Sequence, residues 1–391
     1  MSKIDDLIRE YCPKGVEYKE LGEIGTIFSG LRGKSKEDFS DGNARYISYM
    51  NIYKNPSINL KCDDFVKILP NEKQTHIERG DILIAGSSET LFDSGMISIV
   101  TEEPIENIYL NSFCFGLRLN PNYLSEFLPS FLKHLFRDRN FREKVIGCSF
   151  GVTRYNLSKK LFLKIKIPVP PIPVQEEMIK ILDRFVELEA ELEAELEARK
   201  VQYEFYRGKL LLEKNNRQNM KLGSIYQFQY GTGNTIPTTG GEFPVYGSNG
   251  LVGMHSEYNS EDAPVIGHIG AYAGIVNWAS GKHFVTYNGI ICKHKNDSVL
   301  PRYAYYLLLV QKFGEKTKNA SQPFISYKAL NETEVLMPPL KEQERIVSIL
   351  DRFDKLINDI SEGLPAEIEA RRKQYEYYRN KLLSFEELSY E

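Results

Sequence analysis

The sequence predicts an α/β (α+β) protein built as an internal pseudo-twofold repeat. Two globular domains with mixed, largely antiparallel sheets are separated by two long antiparallel coiled-coil helices. Three observations predict it. The segment Pro170–Phe185 recurs as Pro338–Phe353 at a constant offset of 168, with nine of sixteen residues identical. Each copy continues along a helical seam to a matching tail, Gln202–Leu211 and Gln374–Leu383, at offset 172, so the second copy holds four extra residues. The opening Leu21-Gly22-Glu23-Ile24 returns as Leu222-Gly223-Ser224-Ile225 at offset 201, so the globular parts are duplicated too, the second shorter by 33. Self-similarity at this scale fixes the architecture before any single element is read.

The helices come first because they repeat best. In the first, steps of four and three visit Met178, Leu182, Phe185, Glu189, Leu192, Leu196, Arg199, Tyr203, Tyr206 and Leu210; eight of the ten are apolar or aromatic. That spacing is a heptad seam. The second seam runs Ile346, Leu350, Phe353, Ile357, Ile360, Leu364, Ile368, Arg371, Tyr375, Tyr378, Leu382, with one extra step of four after Leu364. The extra step is a stutter. Gly363 and Pro365 flank it, which predicts a kink or break. Each Pro-Pro pair stops a strand and leads into the helix. Rods of about 38 residues reach roughly 57 Å, too long for a compact core.

In chain order, residues 1–18 read as an amphipathic helix (Ile4, Leu7, Ile8, Tyr11) and a turn, Cys12-Pro13-Lys14-Gly15. Short Val/Ile/Tyr/Phe runs between Gly, Asn and Ser turns then predict strands, among them Asp81–Ala85, Phe243–Tyr246, Val265–Ile269 and His283–Tyr287. Each globular part ends in a helical stretch (124–141; 301–313) and a last strand (161–169; 335–337). The domains are accordingly drawn at 1–169, with a first helix at 170–214, a second domain at 215–337 and a second helix with tail at 338–391.

A length of 391 residues with 42% hydrophobic and 12% aromatic content supports several folded cores. The five cysteines (Cys12, Cys62, Cys114, Cys148, Cys292) stand singly, which predicts a reducing cytoplasm and neither disulfides nor a zinc site. No apolar run reaches the length of a membrane span, and the first residues do not read as a signal peptide. The net charge of −3 hides strong local bias. Residues 187–197 carry six glutamates and no basic residue, whereas 125–166 hold ten Lys/Arg against three acids. The ten are Lys133, Arg137, Arg139, Arg142, Lys144, Arg154, Lys159, Lys160, Lys164 and Lys166. Residues 293–328 repeat the bias with Lys293, Lys295, Arg302, Lys312, Lys316, Lys318 and Lys328. Two basic segments at equivalent places suggest two phosphate-contacting surfaces.

Catalytic signals are absent. Asn120-Pro121-Asn122-Tyr123 resembles the Asn-Pro-Pro-Tyr motif of amino-methyltransferases, but Asn122 replaces the second proline and no glycine-rich cofactor loop precedes it. An Asn-Pro turn before a helix accounts for it. Gly231-Thr232-Gly233 opens no dinucleotide fingerprint, and there is no P-loop lysine. The histidines (His76, His134, His255, His268, His283, His294) show no metal spacing, and Cys292-x-His294 sits in a predicted strand.

The paired Pro-Pro-x-x-x-Gln-Glu…Ile-Leu-Asp-Arg-Phe and Gln-Tyr-Glu-x-Tyr-Arg-x-Lys-Leu-Leu helices, the Leu-Gly-x-Ile openings and Val245–Gly250 resemble the specificity subunit of type I restriction–modification systems. The resemblance covers essentially the whole chain. It implies a non-catalytic subunit in which each globular part is a target-recognition domain reading half of a bipartite DNA site. It also implies partners: double-stranded DNA, two methyltransferase subunits docked on the helices, and nuclease/translocase subunits. This chain would bind no cofactor; S-adenosylmethionine belongs to the methyltransferase, ATP and Mg to the nuclease. The alternative is a coiled-coil scaffold without DNA, bearing two ligand- or protein-binding lobes.

Base reading needs polar side chains on loops that reach groove edges. The candidates are Ser29, Arg32, Lys34, Ser87, Ser88, Arg154 and Lys159 in the first domain. In the second they are Thr232, Asn234, Ser248, Asn249, Tyr272 and Gln322. On the helix tails, the tyrosines are assigned to the seam and the duplicated Arg207 and Arg379 to a partner surface.

Overall fold

A computed structural model describes residues 3–214, 217–233, 240–317 and 323–388. The chain divides into two compact units, Met1–Glu191 with Ile368–Glu391, and Leu192–Glu367. The division falls within a long helix because each half of that helix packs with a different globular domain.

The first unit opens with helix Lys3–Tyr11, which buries Ile4. Strand Glu17–Glu20 then pairs antiparallel with Lys166–Val169, the last strand before the Pro-Pro. One helical turn, Leu21–Ile24, follows, capped reciprocally by Glu20 and Glu23 and burying Leu21 and Ile24 completely. Behind it lies a four-stranded antiparallel sheet in the order Gly25–Ser29, Cys114–Leu119, Ile82–Ala85, Ile97–Ile99. Ile82–Ala85 is buried on both faces, as its unbroken apolar run requires. Two small three-stranded sheets flank it: Phe65–Val66 with Ala44–Ile47 and Tyr109–Leu110, and Ser149–Phe150 with Tyr155–Leu157 and Ser87–Ser88.

Two sequence expectations need correction here. The helical stretch 124–141 is two helices, Pro129–Leu135 and Arg139–Ile146, because Asp138 caps the second by accepting from the Asn140 and Phe141 amides. The strand expected over 161–169 begins at Lys166; before it, Ser158 caps the short helix Lys159–Phe162.

The second unit repeats the entry. Strand Gln218–Lys221 pairs antiparallel with Glu334–Met337, and the turn Leu222–Ile225 buries both apolar ends. Gly223 keeps this turn close to Asn331: a Cβ would lie 2.5 Å from its side-chain oxygen and 3.0 Å from its carbonyl, so a larger residue must displace that side chain. Tyr226–Tyr230 then begins a six-stranded sheet, continuing Gly289–His294, Ser260–Gly267, Val276–Val285, Phe243–Gly247, Gly250–His255. Every pairing in it is antiparallel except Phe243–Gly247 with Val276–Val285.

Helix Ile172–Leu212 is continuous over 41 residues. Its repeat is broken into Leu340–Asn358 and Leu364–Leu382, the interruption expected at Gly363 and Pro365. The chain leaves the helix at Asp359, so Ile360, placed on the seam by periodicity, is 85% exposed.

The repeated Pro-Pro-x-x-x-Gln has a structural reason. Gln175 is fully buried; its Oε1 accepts the Leu128 amide (2.9 Å) and its Nε2 donates to the carbonyls of Glu126 and Pro170 (2.7 Å each). Gln343 does the same in the second unit with the Leu300 amide (2.9 Å) and the Pro338 and Ser298 carbonyls (3.0 and 3.2 Å). Each glutamine ties the start of a long helix to the start of its own domain's helix.

The repeated Asp of Ile-Leu-Asp-Arg-Phe forms the next tie. Asp183 accepts from His134 Nε2 (2.7 Å) and Lys133 (2.6 Å), while the Tyr375 hydroxyl lies 2.9 Å from His134 Nδ1. Burial pushes the His134 imidazole below its ordinary value, so it is neutral at pH 7. Burial alone would raise the Asp183 carboxyl, but the bonds from His134 and Lys133 outweigh it and hold it low. In the second unit Asp351 meets Tyr306 and Arg302 instead, at 2.5 and 2.8 Å.

Within the first unit Phe185 stacks on Tyr378 (5.4 Å) and Glu189 pairs with Arg372 (2.5 Å). Rising numbers on one helix meet falling numbers on the other, so the two segments are antiparallel. In the second unit Phe353 packs between Tyr203 and Tyr206, 6.1 and 5.9 Å away. The head of each helix copy therefore packs on the tail of the other.

Candidate nucleic-acid interface

In the first unit, three of the candidates meet. Ser87 and Ser88 form a two-residue strand paired to Tyr155 and Asn156, which brings Arg154 beside them. All three line one cavity of about 430 Å³ with Tyr49, Met50, Tyr53, Glu89, Thr90, Asp93 and Phe113. Tyr49 and Tyr53, one helical turn apart, stack at 6.2 Å. Asp93 accepts from the Thr90 and Tyr53 hydroxyls at 2.6 and 3.2 Å. The Arg154 side chain is exposed and makes no ion pair or hydrogen bond within the described residues. The cavity thus offers a free guanidinium suited to guanine, carboxylates suited to a cytosine amine, hydroxyls suited to either, and aromatic walls.

The other first-domain candidates stand apart. Ser29 accepts from Arg32 at 3.1 Å, and both lie at the end of strand Gly25–Ser29. Lys34 is drawn inward: its side chain is 4% exposed and its ammonium is bonded to Glu72 and the Lys67 carbonyl, 2.5 Å each. The bond from Lys34, with help from the Leu69 amide and the Gln74 side chain, holds the Glu72 carboxyl down at about 2. Lys159 starts its own short helix, and its ammonium lies 4.7 Å over the Phe115 ring.

In the second unit the loops at one end of the six-stranded sheet converge. Thr232 accepts from Asn259 at 3.1 Å and its amide donates to the Val285 carbonyl. Ser248 and Asn249 are the turn between strands Phe243–Gly247 and Gly250–His255. The carbonyls of Ser248 and Tyr272 both lie against Gly267, where a Cβ would be 2.7 and 2.3 Å from them. Asn234 and Gln322 lie outside the described residues. Composition did not reveal the aromatic cluster beside this site, in which the Tyr230 ring lies 3.9 Å from Tyr327, 4.3 Å from His268 and 5.7 Å from Tyr287. Tyr272 and Tyr287 remain 46% and 45% exposed.

The basic tracts are not uniform phosphate surfaces. Arg137 donates to the carbonyls of Ile52, Tyr53 and Asn55, and Arg142 to those of Phe92, Ser94 and Gly95. Burial pulls both guanidinium groups down to about 10. Lys133, Arg139, Lys166 and Arg302 are in ion pairs. Lys144, Arg154, Lys160, Lys164, Lys293, Lys295 and Lys328 remain exposed.

The tail tyrosines pack in the seam as expected, Tyr203 and Tyr206 against Phe353 and Tyr378 against Phe185, but the arginines are not open to a partner. Arg207 is buried, bonded to Glu204 at 2.5 Å, with its guanidinium 4.9 Å over Tyr203. Arg379 sits in the same way over Tyr375 at 5.0 Å, half-buried. Phe205 and Tyr377 face outward, 63% and 61% exposed, while Tyr206 and Tyr378 stack on Phe353 and Phe185 with one side and remain 37% and 42% exposed. Phe205 with Tyr206 and Tyr377 with Tyr378 meet edge to face at 5.4 and 5.3 Å, so both units present the same aromatic patch.

A family model described as the type I restriction modification DNA specificity domain matches residues 13–198 and again 214–370. A Haemophilus influenzae protein named as a type I restriction enzyme specificity subunit is 31% identical over 397 residues, covering 95% of this chain and 96% of its own. The specificity subunit of the Escherichia coli enzymes EcoR124I/EcoR124II is 35% identical over 268 residues, 59% of this chain and 64% of that one. Among solved structures, a chain from a study of type I system assembly and conformational transition aligns with a TM-score of 0.66 at 16% identity, over 95% of this chain and 98% of that one. The specificity subunit of Mycoplasma genitalium aligns at 0.53 and 18% identity, over 94% and 96%. At these identities the structures speak for the fold.

Proposed function

The chain belongs to the type I restriction–modification DNA specificity family, as a non-catalytic DNA-recognition subunit, and from that premise we propose how its parts divide the work. Each globular domain, drawn at 1–169 and 215–337, reads one half of a bipartite target, and the helices at 170–214 and 338–391 set the spacer between the halves. The observation that carries this reading is the repeat itself: one scaffold presents two unlike sets of loops. In the first set Ser87, Ser88 and Arg154 gather with aromatic walls; in the second Thr232, Ser248 and Tyr272 gather beside an aromatic cluster. Unlike loops imply unlike half-sites, so the target is asymmetric.

Methylation and cleavage come from partners: two methyltransferase subunits carrying S-adenosylmethionine, and nuclease/translocase subunits using ATP and Mg. The assembly works in the cytoplasm. No helix among the described residues is long and apolar enough to cross a membrane. Because Phe205, Tyr206, Tyr377 and Tyr378 are exposed while Arg207 and Arg379 are packed inward, the aromatics form the two methyltransferase docking patches. Aromatic anchors that lose their water on contact dominate such interfaces. Phe205→Ser with Tyr377→Ser is expected to abolish copurification with the methyltransferase while leaving helicity and melting unchanged. An intact complex on gel filtration rejects the patches.

The reading as a whole is tested by coexpression with a type I methyltransferase subunit and genome-wide mapping of methylated sites. Exchanging residues 20–169 for another family member's first domain is expected to change one half-site only. Methylation that stays at the original sequence, or changes in both halves, overturns the modular assignment.

A further inference from the structure

The first domain carries large apolar side chains where a soluble protein has little use for them. At the tip of the hairpin formed by Ser149–Phe150 and Tyr155–Leu157, Phe150 is 61% and Val152 is 87% exposed. The tip reads Phe150-Gly151-Val152-Thr153-Arg154 and contains no acid. It is also held rigidly. Gly151 has φ +137°, and a Cβ there would lie 2.0 Å from the Arg154 carbonyl, so only glycine permits the turn. At the base, Ser149 Oγ donates to Ser94 Oγ at 2.8 Å and the Ser158 amide donates to the Cys148 carbonyl at 2.9 Å. The second strand pairs with Ser87–Ser88, at the edge of the base-reading cavity that Arg154 lines.

Resting on the DNA-recognition reading above, we infer that this hairpin is a wedge, with Phe150 and Val152 pressing into one base step of the first half-site while Arg154 holds the adjacent groove edge. An apolar tip next to a free guanidinium suits duplex DNA: the charge meets phosphate or a guanine edge, and the apolar groups replace lost stacking. Proteins that insert such wedges partly unstack the step and kink the duplex. The wedge makes recognition depend on how readily that step deforms, in addition to its hydrogen-bonding pattern.

The test uses the assembled complex of this chain with its methyltransferase subunits and a duplex bearing the target found by methylation mapping. 2-Aminopurine is placed at successive positions of the first half-site. With the unaltered chain, fluorescence is expected to rise at one step, and a mismatch at that step to tighten binding about tenfold. In Phe150→Ser with Val152→Ser, the fluorescence rise and the gain from the mismatch are both lost, and affinity for the intact duplex falls about tenfold or more. Both residues are exposed, so the melting temperature is expected to hold. Unchanged fluorescence and affinity in the double variant overturn the wedge while leaving DNA recognition standing. Loss of complex assembly before DNA is added overturns it differently, by making the tip a protein-docking surface. A complex that binds no mapped duplex at all removes the recognition reading and the wedge with it.

Discussion

Gln175→Ala is expected to destabilise the first unit by about 3 kcal/mol, because one truncation strands three backbone groups, each worth about 1–3 kcal/mol when left without a partner. The side chain is fully buried and joins the Leu128 amide to the carbonyls of Glu126 and Pro170, so the Pro-Pro entry, the long helix and the domain's own helix lose their common tie. For a unit of this size the loss corresponds to a melting shift of roughly 6–12 °C. Gln343→Ala is expected to act likewise on the second unit through the Leu300 amide. Calorimetry reads the shift, and hydrogen exchange locates it: the Leu128 amide accelerates in one variant, the Leu300 amide in the other. A melting temperature within a degree or so of the unaltered chain, with Leu128 still protected, shows that the glutamine is not the tie.

Deleting Glu189–Leu192 is expected to move methylation off every original site while leaving both half-site sequences unchanged. The deleted residues belong to Leu188-Glu189-Ala190-Glu191-Leu192-Glu193-Ala194-Glu195-Leu196, a four-residue repeat inside the continuous helix Ile172–Leu212. Four residues contribute about 6 Å of rise, which against about 3.4 Å per base pair is one or two base pairs. The helix survives because four residues are close to one turn; the seam rotates by about 40° and shifts by a stutter. Glu193 then follows Leu188, so a glutamate still stands where Glu189 meets Arg372. Methylation mapping of the deletion variant is expected to show the spacer shortened by one or two. Full methylation at the original spacing would mean that the helices are not the ruler.

Much of the architecture was legible because it rests on local rules repeated twice. The Pro-Pro helix entries, the interruption near Gly363 and the strand Ile82–Ala85 follow from proline geometry, periodicity and apolar runs. The helix Lys159–Phe162 was missed, because the apolar residues there read as the start of the strand. Family membership was legible for the same reason, since the repeated motifs are the family's.

Only the tertiary structure decided which polar residues are free to act. Arg137 and Arg142 look like phosphate contacts in a basic tract, yet buried carbonyls from segments some 50–85 positions away capture them. Ser87 and Arg154 are distant in sequence, and strand pairing makes them neighbours on one cavity with Tyr49 and Phe113. The helix tails show the reason most plainly. Tyr206 and Arg207 are consecutive on a helix, about 100° apart; periodicity places the tyrosine on the seam and leaves the arginine off it. Packing decides otherwise: Arg207 folds over Tyr203 and is buried, Tyr206 stacks on Phe353 yet stays 37% exposed, and Phe205 faces water. A one-dimensional pattern states which residue types recur; which of them keep their water depends on the shape of what packs against them.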